Sequence, residues 1–272
     1  MNFRAVAALA ALAVAAAAAS AQSPARDTAQ AAPGTRPALV RGRDLVFAAG
    51  VGGAVAASMS ADRSVQRHLQ SATARNNGVL KGVSNLTGGL GDPGTVIISA
   101  GLYFAGLASH SRRTAALGMH TGEAVVLGGV VSELTKGEIG RARPKISPDD
   151  SRNFRTGKGF SNDDYASLPS TETTVAFAAA TSLALGINRD WPGHSHLVTP
   201  IAYATASMVA FSRLYRNEHW LSDVVSGAGL GVASGVFVDR FNRRYKNNLF
   251  ERWFLPASVV PQRGGVALVW SH

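Results

Sequence analysis

Residues 212–238 read SRLYRNEHWLSDVVSGAGLGVASGVFV and carry the sharpest signal of the chain. The apolar part, residues 224–238, is long enough for a helix. Gly227, Gly231 and Gly235 recur every four residues, so they form one stripe on that helix. A stripe of small residues permits close contact with a second helix, in a membrane bundle or in a tightly packed soluble one. The stretch therefore predicts a close-packed helical structure.

The composition agrees with a helical fold. The chain has 272 residues, of which 46% are hydrophobic and 16% charged, and it contains 29 glycines and no cysteine. The hydrophobic content excludes disorder for most of the chain. The lack of cysteine excludes disulfides, thiolate catalysis and thiolate metal sites. Further apolar stretches, each long enough for a helix, occupy residues 45–60, 95–109, 114–134, 175–187 and 197–211. We expect an all-α fold, a helical bundle of about six core helices, with a short C-terminal β-hairpin from residues 255–260 and 265–270.

The sequence divides into four segments. Residues 1–21 are typical of an export signal, since Arg4 precedes an Ala-rich apolar run that ends in small residues; the alternative is an N-terminal membrane anchor. Residues 22–40 contain three prolines and few apolar residues, which indicates a flexible linker. We expect a helical domain over residues 41–248 and a tail with the hairpin over residues 249–272. A cleaved signal would place the mature protein on the exported, periplasmic side.

The charge of the chain favours anionic partners. Lys and Arg number 27 against 17 for Asp and Glu, a formal net charge of +10. Nucleic acid, anionic lipid and a phosphorylated substrate all fit such an excess. The basic residues are spread along the chain without a recognisable reading motif, so we expect no nucleic acid as partner.

Two segments place polar groups at predicted helix ends. Lys136 is followed after six residues by Arg143, which puts two cations near a helix end and its following loop. Pro169 and Ser170 precede an apolar helix, and such a start aims backbone N–H groups and a hydroxyl at one point, an arrangement that binds anions. Each segment is also compatible with an ordinary helix end, because the helix dipole favours cations there and hydroxyls cap helices.

The third segment contains Arg213, His219 and Asp223. On a helix that starts near His219, Asp223 lies four residues on and shares its face. Its carboxylate can then accept from one imidazole nitrogen and leave the other as a nucleophile, while Arg213 offers a bidentate phosphate contact. A chance His–Asp pair of this spacing is usually only a surface contact.

Taken in order, K-x6-R-P, P-S and S-R-x5-H-x3-D resemble the motifs of the type 2 phosphatidic acid phosphatase and vanadium haloperoxidase superfamily. The resemblance spans about residues 91–238 and implies a helical bundle of the acid phosphatase and haloperoxidase type, with the three motifs at one end. It implies that Lys136, Arg143, Ser170 and Arg213 bind phosphate, that His219 attacks phosphorus and that Asp223 orients it. Protein cations would then neutralise the phosphate, so we expect no metal and no cofactor.

One position departs from the family pattern. The family usually has P-S-G-H, whereas this chain has Pro169-Ser170-Thr171-Glu172. Thr171 keeps the backbone N–H that faces the phosphate. Glu172 replaces the His that protonates the leaving group, so it is either a protonated general acid, active toward acid pH, or a residue that only complements the positive helix end.

The resemblance implies a phosphatase that acts through a phosphohistidine. We expect lipid phosphates or isoprenyl pyrophosphates as substrates and membrane association, because the glycine stripe and the tryptophans suit a membrane bundle. Three alternatives remain: a soluble periplasmic acid phosphatase for small phosphomonoesters, a vanadate-dependent haloperoxidase, and a phosphate-binding pseudoenzyme, the last suggested by Glu172.

Overall fold

The computed structural model describes residues 38–88, 90–256, 258–262 and 265–269. The predicted signal peptide, residues 1–21, lies outside the described residues, as does the predicted linker up to residue 37. The predicted hairpin residue Trp270 and the turn residues 263–264 lie outside them too.

The described chain is almost entirely helical. Its α-helices in order are α1 (Gly42–Met59), α2 (Asp62–Leu69), α3 (Ala72–Arg75), α4 (Gly78–Thr87), α5 (Asp92–Ala108), α6 (Arg112–Ile139), α7 (Thr171–Asp190), α8 (Ser195–Tyr215), α9 (Leu221–Arg244) and α10 (Leu249–Phe254). Short 3-10 helices occupy Lys158–Phe160, Asp163–Tyr165 and Pro192–His194. Strands β1 (Ser258–Gln262) and β2 (Gly265–Val269) pair antiparallel. The six long helices correspond to the six predicted apolar stretches, which confirms the all-α fold.

Helix α7 is the centre of the bundle. Fourteen of its 20 residues are buried, and α5, α6, α8 and α9 all pack against it. Its apolar and small side chains leave little room for polar groups, apart from threonines that bond to nearby backbone or hydroxyls. The N-terminal end of this buried helix lies beside the start of α9, since the Ser170 N–H donates to the Asp223 carbonyl oxygen at 3.1 Å.

The glycine stripe of α9 faces α7. A Cβ added at Gly231 would lie 2.3 Å from the Thr174 carbonyl oxygen, and one at Gly235 would lie 2.7 Å from Thr181 Cβ. At Gly227 it would lie 2.6 Å from the Ser170 carbonyl oxygen. The two helices therefore approach more closely than any side chain at these positions allows, as the spacing predicts.

The C-terminal end of α6 and the N-terminal end of α9 are each defined by one residue. Helix α6 ends at Ile139, and the residue that follows, Gly140, has a φ of 62°. A Cβ added at Gly140 would lie 1.7 Å from the Arg155 carbonyl oxygen. Only glycine tolerates both conditions. Helix α9 begins at Leu221, and the Asp223 carboxylate accepts the Trp220 N–H at 2.8 Å. His219 thus precedes α9 instead of lying on its first turn, contrary to the sequence expectation.

Several helices present apolar faces to the outside. In the described residues, α6, α9 and the stretch Pro192–Tyr215 are long and apolar enough to cross a membrane, and α1 with α2 forms a possible fourth, bent span. Val126, Val130 and Leu134 form one exposed stripe on α6. Contiguous exposed apolar patches mark surfaces that contact a membrane or another protein.

Candidate active site

His219 lies in the short connection between α8 and α9 and is almost fully buried, with 2% of its surface exposed. Its Nδ1 lies 2.7 Å from the Ser167 carbonyl oxygen. A carbonyl oxygen can only accept, so Nδ1 carries a proton and donates it there. The ring is thereby fixed with Nε2 facing the predicted phosphate-binding residues.

Asp223 orients His219 indirectly. Its Oδ2 lies 3.8 Å from His219 Nδ1, which is beyond hydrogen-bond distance. The fully buried carboxylate instead accepts from the Ser167 hydroxyl at 2.6 Å, from the Trp220 N–H and from Arg141. The expected direct bond from imidazole to Asp223 is therefore not present, because the residue caps α9 and Ser167 stands between the two side chains.

Arg143 lies next to the nitrogen that faces the site. Its Nη1 lies 3.4 Å from His219 Nε2. The guanidinium is held by Asp163, at 2.8 Å from Nη2, and by Glu218, at 3.1 Å from Nη1. Both carboxylates belong to the segments that flank the site, so the loop after α6 is anchored to the segment before α9. The structure thus brings Arg143 and His219 together.

Glu172 lies between Arg213 and His219. Its Oε1 lies 2.9 Å from Arg213 Nη2, and its Oε2 lies 3.6 Å from His219 Nε2. Burial raises the pKa of Glu172, but the interaction with His219 and the charge of Arg213 outweigh burial and hold the pKa well below its ordinary value. The carboxylate is therefore ionised in this state. It occupies the position in which a phosphate oxygen would contact both Arg213 and the imidazole.

Lys136 and Thr171 meet at the N-terminal end of α7. The ammonium of Lys136 lies 3.1 Å from Glu133 Oε1, and the Thr171 hydroxyl donates to the same oxygen at 2.8 Å. Lys136 is buried, whereas Glu133 is largely exposed. Ser170 caps α7, since its hydroxyl oxygen accepts from the Thr173 N–H and hydroxyl. The Ser170 N–H is already donated to Asp223, so α7 offers fewer amides than its sequence suggests.

Each predicted phosphate-binding cation is thus paired with a carboxylate. Lys136 pairs with Glu133, Arg143 with Glu218 and Asp163, and Arg213 with Glu172. An incoming phosphate must exchange these partners for its own oxygens, and the exchange is easiest for the exposed carboxylates because water solvates them well. In the described residues, no group of three or more His, Asp or Glu side chains is placed to hold a metal ion.

Comparison with known proteins assigns a family. Residues 117–246 match the sequence model of the PAP2 superfamily, and this segment contains all three motifs. Over these residues, just under half of its length, the chain is similar to the PAP2 superfamily. The resemblance inferred from the motifs is confirmed.

Two individual proteins show similarity to the chain. The lipid A 1-phosphatase of Porphyromonas gingivalis is 33% identical over 103 residues, which make up 35% of this chain and 22% of that protein. A transmembrane PAP2-type phosphatidylglycerolphosphate phosphatase from Bacillus subtilis, known from its crystal structure, is 24% identical. Its TM-score is 0.46, over 75% of this chain and 94% of the other. The match to the lipid A 1-phosphatase spans less than a quarter of that protein.

The candidate site also contains residues that sequence reasoning missed. Asp62, Arg141, Ser167 and Ser222 are fully buried and bond to Asp223 or to one another. Arg141 lies only two residues before Arg143, and its chemistry alone did not separate it from other basic residues. Asp62 lies outside the segment matched to the PAP2 model, and its sequence context carries no motif.

Proposed function

We propose that the protein is a phosphatase that hydrolyses phosphate monoesters, with lipid phosphates or isoprenyl pyrophosphates as natural substrates. One observation carries this proposal: His219 Nε2 lies 3.4 Å from Arg143 and 3.6 Å from a carboxylate that Arg213 holds. A nucleophile that faces a site for an anion between two arginines is the arrangement that phosphoryl transfer needs. The similarity of part of the chain to a lipid A 1-phosphatase supports a lipid substrate.

The reaction proceeds in two displacements. In the first, the Nε2 lone pair of His219 forms a P–N bond, the ester P–O bond breaks and the leaving oxygen takes up a proton. In the second, water attacks the phosphohistidine and gives a proton to the Glu172 carboxylate, the P–N bond breaks and inorganic phosphate leaves. The Nδ1–H bond to Ser167 keeps the ring aimed during both steps, while Arg143, Arg213 and Lys136 stabilise charge on the phosphoryl oxygens.

Glu172 supplies the proton of the first step. Its carboxylate pairs with Arg213 and lies 3.6 Å from His219 Nε2. A phosphate that enters between them takes Arg213 as its partner and repels the carboxylate, which costs about 4 kcal/mol at 4 Å and an effective dielectric constant near 20. The repelled carboxylate then takes up a proton. A protonated Glu172 is a general acid for the leaving group, while His219 Nε2 keeps its lone pair for the attack.

An apolar cleft beside the site supports a substrate with a hydrocarbon tail. The cleft has a volume of 870 Å³ and lies between α1, α6 and α9. Pro169 and Ser226 line its near end, next to Ser170 and Asp223, and apolar residues line its length, among them Phe47, Val51, Val131, Leu230 and Phe237. A lipid phosphate whose headgroup meets His219 could bury its chain there, and each buried CH₂ would contribute about 0.8 kcal/mol.

We place the protein in a membrane, with the active site on the exported side. The apolar helices and the exposed stripe on α6 support the first statement, and the export signal predicted over residues 1–21 supports the second. In this arrangement residues 22–40 act as a linker, residues 41–248 form the phosphatase domain and residues 249–272 form its tail.

Phosphate release from p-nitrophenyl phosphate and from a long-chain phosphatidic acid tests the proposal. Purified protein should hydrolyse both, and His219→Asn should lower the rate by on the order of 10⁴-fold or more while the fold persists. A wild-type protein that binds phosphate yet releases none from either substrate would instead be a pseudoenzyme. Hydrolysis of the soluble ester alone would favour the soluble acid phosphatase.

A further inference from the structure

A buried ionic network lies behind His219, on the side away from the phosphate-binding cations. Arg141 is fully buried, and its guanidinium donates to both Asp62 and Asp223. Asp62 Oδ1 accepts the Ser222 N–H at 2.8 Å, and its Oδ2 accepts the Ser222 hydroxyl at 2.7 Å. Three donors thus converge on Asp62, which is the pattern of an ionised carboxylate. One guanidinium between two carboxylates leaves the network with one net negative charge.

The network reaches His219 through Ser167. The Ser167 N–H donates to the Arg141 carbonyl oxygen at 3.1 Å, and the Ser167 hydroxyl donates to Asp223 at 2.6 Å. The Ser167 carbonyl oxygen accepts His219 Nδ1–H. Arg141 therefore fixes Ser167 from two sides, by its own backbone and through Asp223. Asp62 in turn fixes the guanidinium, because it is the second carboxylate that Arg141 contacts.

We propose that Asp62 is a positioning residue for the nucleophile, acting through Arg141, Asp223 and Ser167. This inference rests on the proposed phosphatase function. Without the Asp62 charge, the Arg141 guanidinium has one carboxylate partner instead of two, and it draws more strongly on Asp223. Ser167 is then held less firmly in its orientation, and the negative potential behind His219 decreases. The helix pair α1–α2, outside the matched PAP2 segment, thereby contributes to the chemistry.

Other charged side chains also surround the His219 ring. From the elements packed around the ring these are Glu172 on α7, Arg213 on α8, Asp223 on α9, Arg143 on the loop after α6, and Glu218 beside the ring. Asp62→Asn leaves all of them in place and removes one negative charge behind the ring. The asparagine side chain has nearly the same volume as aspartate, and it retains an oxygen that can accept the Ser222 N–H.

The test compares Asp62→Asn with Glu123→Gln, using p-nitrophenyl phosphate and full-length protein in detergent. Glu123 is a matched control, because it is a buried carboxylate that accepts from Asn242 across α6 and α9, far from the site. We expect Asp62→Asn to lower kcat by up to about tenfold, no more than Ser167→Ala does, with little change in KM, because misplaced nucleophiles slow chemistry while the cations still bind phosphate.

A second measurement does not depend on activity. The ¹⁵N and ¹H NMR signals of the His219 ring, identified by their loss in His219→Asn, should shift in Asp62→Asn and stay unchanged in Glu123→Gln. Ser222→Ala, which removes one donor to Asp62 and keeps its charge, should shift them less, and it serves if Asp62→Asn does not fold. If wild type releases no phosphate, the proposed function fails and the NMR comparison alone decides. Unchanged ring signals and an unchanged kcat in folded Asp62→Asn would show that Asp62 only stabilises the fold.

Discussion

His219 Nδ1 lies 2.7 Å from the Ser167 carbonyl oxygen, and this bond sets the direction of the ring. In the serine protease triad a carboxylate holds the imidazole directly. Here a backbone oxygen does so. Asp223 contacts the ring only through Ser167, whose hydroxyl donates a hydrogen bond to the carboxylate. A backbone acceptor cannot be removed by a side-chain substitution, so the two contributions of Ser167 can be separated by experiment.

Ser167→Ala should have a moderate effect. The variant keeps the carbonyl oxygen that holds His219 and removes the hydroxyl that donates to Asp223. We expect a loss of about 1 kcal/mol in stability, the usual contribution of one buried hydrogen bond, and a kcat within about tenfold of wild type. Thermal unfolding and kcat on p-nitrophenyl phosphate measure the two effects. A Ser167→Ala protein as inactive as His219→Asn would mean that the hydroxyl, not the carbonyl, orients the ring.

Glu172→Gln should change activity according to the leaving group. Without the carboxylate, the protein supplies no proton to the leaving group, and p-nitrophenyl phosphate, whose leaving group is stable as an anion, should be hydrolysed at close to the wild-type rate. Hydrolysis of an alkyl phosphate, which needs a general acid, should fall by about 10²–10⁴-fold. In wild type this activity should decline as pH rises and the proton on Glu172 is lost.

Glu138→Gln is the control for this prediction, because Glu138 is an exposed residue of the last turn of α6. Its two profiles should match those of wild type. Equal losses on both esters in Glu172→Gln would contradict the general-acid role and leave Glu172 as a residue that complements the helix end.

Gly231→Ala should destabilise the bundle. Its Cβ would lie 2.3 Å from the Thr174 carbonyl oxygen, so α7 and α9 must move apart, at a cost of about 1–3 kcal/mol. Gly52→Ala is the matched control, since no atom lies within 4 Å of its added Cβ on α1. It should leave stability unchanged or raise it by up to about 1 kcal/mol through helix propensity. Midpoints of thermal unfolding in detergent compare the two, and equal midpoints would show that the stripe is not a contact.

Val131→Phe should discriminate between substrates by their chain length. The added ring would fill part of the cleft that Val131 lines, so hydrolysis of long-chain phosphatidic acid should fall several-fold while that of p-nitrophenyl phosphate is unaffected. The neighbouring Val130 is exposed and lies outside the cleft, so Val130→Phe should preserve both activities. Equal long-chain activity in the two variants would mean that the tail lies elsewhere.

The long helices could be predicted from the sequence because their apolar runs are long. Residues 224–238 anticipate α9 and residues 175–187 anticipate α7, and in both cases only the ends differ. Helix α2 could not be found in this way. It has eight residues, DRSVQRHL, most of them polar, and only Val65 and Leu69 supply an apolar face.

The site could be predicted only in part, because motifs name residues and not their partners. The spacing of His219 and Asp223 suggested a direct bond, but a carboxylate at the third helical position lies next to the N-cap amide and caps the helix. Asp62 and Arg141 are 79 residues apart in the chain, and their pairing depends on how α2 packs against α9. A contact of that kind is fixed by tertiary structure and leaves no local pattern.

The central claim is that His219 forms a covalent bond to phosphorus. Rapid acid-free quenching of protein incubated with ³²P-labelled substrate, followed by peptide mapping, tests it most directly. We expect a labelled peptide containing His219, with a phosphoryl bond that is stable to base and labile to acid, and no label in His219→Asn. Steady phosphate release with no label at His219, or with equal label in His219→Asn, would contradict the account.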